Sequence, residues 1–329
     1  MALDGKVLAN AKRILADKRK DFEEHQANKA SKAYSANPQI RTLDLELRLT
    51  MTKLIGVAFG SSCDSDVDDV RSKNEQLQER LKSELVKAGF SENYLDNAYM
   101  CESCGDTGFT DNSMCACLKD LYKAEQKASL SNLFKLGSET FENFDLSYYS
   151  ETPSAETGKS PHESMKIVFQ SCVEYTRSFG KNSLNLLFIG SPGLGKTYLS
   201  ACIARVVAEK GYSVVYDMAA AIFSKYEDVK FSRTDDLEDK RDEIKRYLEC
   251  ELLIIDDLGT ELTTAFTIAA LYEVINTRLI TGKKTIVSSN LTLDEMHRRY
   301  SEQIMSRLEW EYQVFKFYGE DIRKKKNMV

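Results

Sequence analysis

The sequence predicts an α/β protein: a five-stranded parallel sheet flanked by helices, preceded by a small helical N-terminal domain with a four-cysteine zinc knuckle. Three observations point there. From about residue 160 onward, short apolar runs rich in β-branched residues alternate with stretches of helical length, the pattern of a parallel sheet covered on both faces. The run at 184–189 leads directly into Gly190-Ser191-Pro192-Gly193-Leu194-Gly195-Lys196-Thr197, a glycine-rich turn that opens a helix. Four of the eight cysteines crowd into CESCGDTGFTDNSMCAC, residues 101–117.

Length and composition bound the rest. At 329 residues, 42% hydrophobic and 29% charged, the chain has room for about two domains. It is neither collagen-like, nor a disulfide mini-protein, nor wholly disordered. The apolar runs are too short to cross a bilayer, and the first residues lack the apolar core of a signal peptide, so a cytoplasmic protein with no membrane partner is expected. The net charge of −6 gives no global attraction for nucleic acid, although a local basic path remains open.

Taken in order, residues 1–35 read as a charged helix with a thin apolar stripe. In 39–57 the alternation of Leu43, Leu45, Leu47 and Leu49 suggests a strand, but length and residue content favour a helix. Asp64, Asp66, Asp68 and Glu75 fall at calcium-loop spacings. Asp69 stands where that loop needs glycine and Arg71 where it needs an apolar residue, so the segment reads as a solvated cap for a helix over 72–89. Cys101, Cys104, Cys115 and Cys117 then form C-x2-C and C-x-C pairs, enough thiolates for one tetrahedral zinc. With every position filled by protein, such a zinc is structural. A short helix over 118–129 and a Ser/Thr/Pro/Gly-rich loop over 150–163 follow. These features divide the chain into a helical domain at 1–95, the knuckle at 96–120, a linker at 121–159 and a strand–helix domain at 160–329.

Within the last domain the expected strands are 184–189, 213–217, 251–256, 285–289 and 313–318. The helices are 164–179, 196–209, 219–228, 264–281 and 293–308, with a charged stretch at 230–250. The glycine-rich turn Gly190–Thr197 is a P-loop, whose backbone N–H groups and helix dipole hold phosphates. It predicts ATP as ligand, contacted by Gly190, Ser191, Pro192, Gly193, Leu194, Gly195 and the adjoining Tyr198. Lys196 is expected on the β- and γ-phosphates and the Thr197 hydroxyl on magnesium.

The strand ELLIID ends in Asp256 and Asp257, at the sheet edge where open α/β folds bind ligands. Asp256 is read as the magnesium-orienting acid and Asp257 as the group that polarises the attacking water. Asn290, ending TIVSSN, can reach the γ-phosphate or that water. Arg307 and Arg323 are candidates for stabilising charge on the transferring phosphoryl group.

Together these residues resemble the AAA+ ATPases of the DnaC/DnaI helicase-loader group, which includes IstB-type transposition helpers. The resemblance runs from about Asn97 onward and rests on YMCESCGDTGF, TFENFDLSYYS, GSPGLGKTYLSACIA, LLIIDDLGTE, TIVSSNLTLDEM, IMSRL and DIR. It implies that Asn290 is sensor 1, that Arg307 is an arginine finger acting on ATP in a neighbouring subunit, and that Arg323 is sensor 2 acting in cis. It also implies self-association of the ATPase domains with ATP, binding of the replicative hexameric helicase, and loading of that helicase onto single-stranded DNA. One departure is Asp257, where many such proteins carry Glu; Glu261 is then a candidate to share its work.

Lys283-Lys284, Arg298-Arg299 and Arg323-Lys324-Lys325-Lys326 are the basic runs available to DNA, while Tyr216, Phe223 and Tyr226 read as core. The competing readings are an ATP-dependent transposition helper on duplex DNA, an adaptor with negligible hydrolysis, and another P-loop enzyme such as a nucleotide kinase.

Overall fold

The computed structural model describes residues 3–58, 67–96, 98–111, 113–133, 139–153, 158–231 and 237–326. It divides into two compact units, one formed by 12–118 and the other by 1–11 with 119–329. Among the described residues no helix is long and apolar enough to cross a membrane.

The smaller unit is built on α1 (Gly5–Ala36), α2 (Pro38–Ala58) and α3 (Val67–Lys87). In α2 the leucine alternation resolves as a helix. Ile40 and Leu43 face inward one turn apart, while Leu45 and Leu49 are 52% and 64% exposed. Ala33, Ile40 and Leu85 centre the small apolar cluster of this unit, with Phe90 and Tyr94 packed against it. The third helix starts five residues earlier than the sequence suggests, and the candidate calcium ligands Asp64 and Asp66 lie outside the described residues, as does Cys63. After α3, Gly89 takes a left-handed φ of 84° that turns the chain out of the helix. The cysteine segment folds as a tight hairpin, β1 (Phe109–Thr110) against β2 (Ser113–Met114), before α4 (Ala116–Leu133).

The larger unit contains α5 (Pro161–Arg177), β3 (Asn185–Ile189), α6 (Lys196–Glu209), β4 (Val214–Met218), α7 (Ala219–Phe231) and α8 (Leu237–Glu249). It continues through β5 (Leu252–Leu258), α9 (Ala265–Ile280), β6 (Lys284–Ser289), α10 (Leu293–Arg299), α11 (Glu302–Trp310), β7 (Tyr312–Lys316) and α12 (Ile322–Lys326). The five strands are parallel and ordered β4-β5-β6-β3-β7.

Because strand side chains alternate, the sheet feeds two cores. Leu187, Ile189, Val215, Leu253, Ile255 and Val287 pack with α7, α8, α9 and α11. Leu186, Phe188, Val214, Tyr216, Leu252, Ile254 and Ile286 pack with α5 and α6. Tyr216, Phe223 and Tyr226 are buried, as the sequence indicates.

Two elements differ from expectation. The charged stretch at 230–250 contains a full helix, α8, because Ile244, Tyr247 and Leu248 give it an apolar stripe for the core. The expected helix over 293–308 is broken between α10 and α11. There Tyr300 goes extended, at φ −110° and ψ 161°, and buries its ring while its hydroxyl donates to Glu261.

Arg278 on α9 is fully buried and donates to the carbonyls of Tyr247 at 2.6 Å, Cys250 at 3.0 Å and Lys284, and to the Thr285 hydroxyl at 2.9 Å. It supplies the orphan carbonyls at the end of α8 and so locks α8, α9 and the start of β6 together.

Candidate functional site

The buried strand β3 delivers the P-loop to the carboxyl edge of the sheet, and α6 begins at Lys196. Two glycines are dictated by close approach. Gly190, at φ 146°, passes so near the Phe317 carbonyl that a Cβ would stand 2.6 Å from it. Gly193, at φ 79°, passes the Asp321 carboxylate and accepts the Ile322 N–H at 3.1 Å. On the other side, the Tyr149 hydroxyl donates to the Leu194 carbonyl at 2.9 Å. The loop is thus clamped between 144–149 and 317–322.

Lys196 is only 4% exposed and donates to the carbonyls of Gly190 at 2.6 Å and Ser191 at 2.8 Å, and to Asn290 Oδ1 at 2.7 Å. Burial pushes its ammonium down to about 8, against the pull of the Asp257 and Asp256 carboxylates. Asn290, at the end of β6, turns its amide N–H to Asp257 Oδ1 at 3.3 Å. Lys196, Asn290 and Asp257 therefore form one continuous chain across the mouth of three strands.

The two acids of β5 share an edge only because the strand is irregular. Ile255 pairs with Val287 and Leu258 with Ser289, so Asp256 and Asp257 both stand opposite Ser288. Asp257 takes a left-handed φ of 54°, and its N–H is held by the Ser288 hydroxyl at 3.1 Å. Regular alternation would send Asp257 to the opposite face from Asp256; the bulge brings its side chain to the cavity instead. Burial, and next the Asp256 charge, raise the Asp257 carboxyl above its ordinary range. Asp256 is buried, 4% exposed, and accepts hydrogen bonds from the Tyr216 and Ser288 hydroxyls.

A cavity of about 370 Å³ opens over the P-loop. Pro192, Gly193, Leu194, Gly195, Lys196, Thr197, Tyr198, Asp257, Asn290 and Arg323 line it, joined by Ile322 beside Arg323. Its remaining wall is Glu139, Asn143, Phe144, Asp145 and Tyr148. No motif in the sequence marks that segment as a site; the aromatic residues of TFENFDLSYYS ahead of the first strand are the signal that it forms a wall. Gly190, Ser191 and Asp256 are within the loop and strand beneath.

Arg307 is not brought to this cavity. Its guanidinium donates to Asn276 Oδ1 at 2.7 and 3.0 Å and to the Tyr272 hydroxyl at 3.0 Å, and stacks 4.7 Å from the Tyr272 ring centre. Glu261 is also elsewhere: its buried carboxylate accepts the Gly259 N–H at 2.7 Å and the Tyr300 hydroxyl, so it cannot share the role of Asp257.

The four cysteines meet in the smaller unit. Their Sγ atoms all lie within 4.8 Å of one another, with Cys101 and Cys115 at 3.7 Å and Cys104 and Cys117 at 3.6 Å. A tetrahedron with metal–sulfur bonds of about 2.3 Å has edges of about 3.8 Å, so the set fits zinc. Asp106, at φ 62°, holds the loop by accepting the N–H groups of Met100 at 3.1 Å and Cys101 at 2.8 Å.

The basic runs do not converge. Lys283 and Lys284 sit at the amino end of β6, away from the edge that carries the P-loop, whereas Arg323 and Lys324 lie beside it. Arg299 is tied to the Glu261 carbonyl and carboxylate. The side chains of Lys325 and Lys326 lie outside the described residues. An aromatic feature that the sequence did not disclose is Phe231, 68% exposed, with its ring 5.8 Å from Phe266 and the Lys230 ammonium 4.8 Å above the Phe266 ring.

Residues 167–328 match the family described as IstB-like ATP binding protein. The replicative helicase loader DnaC of Escherichia coli (strain K12) is 25% identical over 135 residues, 41% of this chain and 54% of that protein. The replicative helicase loader DnaI of Bacillus subtilis (strain 168) is 31% identical over 145 residues, 41% of this chain and 44% of that protein. This chain thus spans about half the length of the curated relatives it matches. Among solved structures, the crystal structure of the DnaC helicase loader covers 54% of this chain and 98% of its own, at 19% identity and a TM-score of 0.43.

Proposed function

We propose that this chain, whose residues 167–328 form an IstB-like ATP-binding domain homologous to the DnaC and DnaI helicase loaders, is an ATP-dependent loader of the replicative DNA helicase. The observation that carries the reading is the Lys196–Asn290–Asp257 chain over the P-loop, with Arg323 beside it and Arg307 held away from it. Such a site holds a nucleotide by itself and lacks one cation for the transferring phosphoryl group, which a second copy supplies.

In this reading the P-loop N–H groups and Lys196 hold the triphosphate, and Phe144, Tyr148 and Ile322 cover the base. Thr197 and Asp256 would hold magnesium: both offer oxygen, the donor that ion takes, Thr197 from the cavity lining and Asp256 from the end of β5, where Tyr216 and Ser288 fix it. Magnesium, when bound, neutralises charge on the β- and γ-phosphates. Asp257 orients and accepts a proton from the attacking water, and Asn290 fixes Asp257 against Lys196. Arg323 acts in cis and Arg307 in trans. Hydrolysis then works as an assembly switch between copies of the ATPase domain.

Cys101, Cys104, Cys115 and Cys117 hold a structural zinc that stiffens the smaller unit. The helices of 1–95 grip the helicase, and the ATPase domains track single-stranded DNA. Exposed Phe231, beside the half-buried Phe266 and with Lys230 over that ring, is the stacking surface suited to unpaired bases.

The test mixes the full chain with the replicative helicase of its source and a circular single-stranded DNA. Helicase should be retained on the circle only with chain and ATP present. With Arg307→Ala, ATP affinity should stay within about twofold while concentration-dependent turnover is lost, since the arginine contacts nothing in its own cavity. Equal loss of ATP binding by the variant would defeat the trans assignment. The IstB-like match favours one alternative, a transposition helper; ATP-dependent assembly on duplex DNA with no helicase retention would establish that reading instead.

A further inference from the structure

We infer that Tyr216 is a positioning residue for Asp256 of the magnesium-holding pair, its single hydroxyl fixing the direction of that carboxylate. The inference rests on the ATP-site reading above and extends it to a residue that no motif marks.

The strand register explains why a tyrosine at this position can do it. On β4, Met218 pairs with Asp256 of β5, so Tyr216 lies two residues back and on the same face of the sheet. Two residues of strand span about 6.6 Å, close to the reach of a tyrosine from Cα to hydroxyl. The ring lies in the apolar layer between the sheet and α6, with Ile254 and Val214 among its cluster, and only the hydroxyl emerges at the polar edge. There it donates to Asp256 Oδ2, close to the P-loop end of α6.

The other oxygen of Asp256 is occupied as well. Ser288 of β6 donates to Oδ1. Hydroxyls from the strands on either side of β5 therefore hold the carboxylate in one rotamer. Each oxygen keeps a lone pair, because a carboxylate oxygen can accept more than one donor. A phenylalanine would fill the same space and bury the same apolar area, yet would leave Asp256 Oδ2 without its donor and the carboxylate freer to turn. The hydrogen bond lost is thus one to the carboxylate that would face magnesium.

The experiment measures ATP affinity of the full-length chain by calorimetry in EDTA and across a magnesium series, for the wild type, Tyr216→Phe and Ser288→Ala. Manganese binding to the ATP complex, followed by electron paramagnetic resonance, gives a second readout independent of turnover. Tyr216→Phe should leave affinity in EDTA within about twofold and reduce the gain conferred by magnesium about tenfold, the usual weight of a hydrogen bond to a charged group. Ser288→Ala should weaken the same gain, and it probes the same carboxylate should Tyr216→Phe fail to fold. If both variants keep the full magnesium gain and the same manganese affinity, Tyr216 is a packing residue and the inference fails, with the ATP site intact. If the wild type itself shows no ATP binding, or no magnesium effect, the ATP-site reading falls and takes this inference with it.

Discussion

In residues 119–329 the sheet buries side chains on both faces, and the nucleotide cavity is held open by two apolar cores and by backbone clamps on the P-loop. Among the described residues of 12–118, one apolar cluster is centred on Ala33, Ile40 and Leu85, and the cysteine hairpin has two-residue strands. The larger unit is stable through area removed from water; in the proposed function, four thiolates on a zinc add a cross-link to the smaller. The contrast teaches that a hairpin with two-residue strands can still be a fixed surface, provided that a metal supplies the missing constraint.

The largest effect separates the two units directly. Zinc removal by chelation, or Cys101→Ser, should withdraw about 10 kcal/mol of binding free energy from the hairpin and open it to protease. The sheet of 185–316 should keep its hydrogen-exchange protection. Unchanged proteolysis at 95–120 would mean that the cysteines are bystanders, and the contrast between the units would collapse.

Arg278 sharpens it from the other side. Replacing it by Met strips the guanidinium from the carbonyls of Tyr247, Cys250 and Lys284, and should cost about 3 kcal/mol, read as a denaturation midpoint shift of the larger unit alone. A shift below about 1 kcal/mol would show those carbonyls finding water instead.

Next in size is Lys196→Ala. Loss of a buried ammonium that faces the phosphates should lower ATP affinity about 100-fold, about 2.7 kcal/mol, without changing zinc content. Retained affinity would place nucleotide binding elsewhere. The smallest effect belongs to the surface: Phe231→Ala should weaken single-stranded DNA binding about tenfold, measured by fluorescence anisotropy at fixed salt, with ATP affinity unaltered. Equal weakening on duplex DNA would argue against base stacking.

Much of this was readable from sequence because it is local. A P-loop is eight consecutive residues whose geometry follows from its glycines, and Gly190 to Thr197 lie where the motif puts them. The acids at the end of a buried strand and the paired cysteines are equally short-range patterns, and the five strands were found within two residues of their ends. The long-range features were not readable. That the wall of the cavity comes from 139–148 depends on how this segment packs against the P-loop. That one helix breaks at Tyr300 depends on a hydroxyl finding Glu261 39 residues away. Arg278 hides in a helical pattern, since nothing in its neighbours announces the carbonyls it meets.

The sequence by itself determined the sheet, the phosphate loop and the identity of the polar groups at its edge, because periodicity and glycine conformations act within a few residues. Only the tertiary structure decided how those groups are aimed. The bulge that turns Asp257 toward Lys196 exists because Ser288 on the next strand holds two residues opposite one. Asp256 is held in place because hydroxyls from two separate strands, Tyr216 on β4 and Ser288 on β6, converge on its carboxylate. A side chain's type is set by its codon; its direction is set by what packs around it.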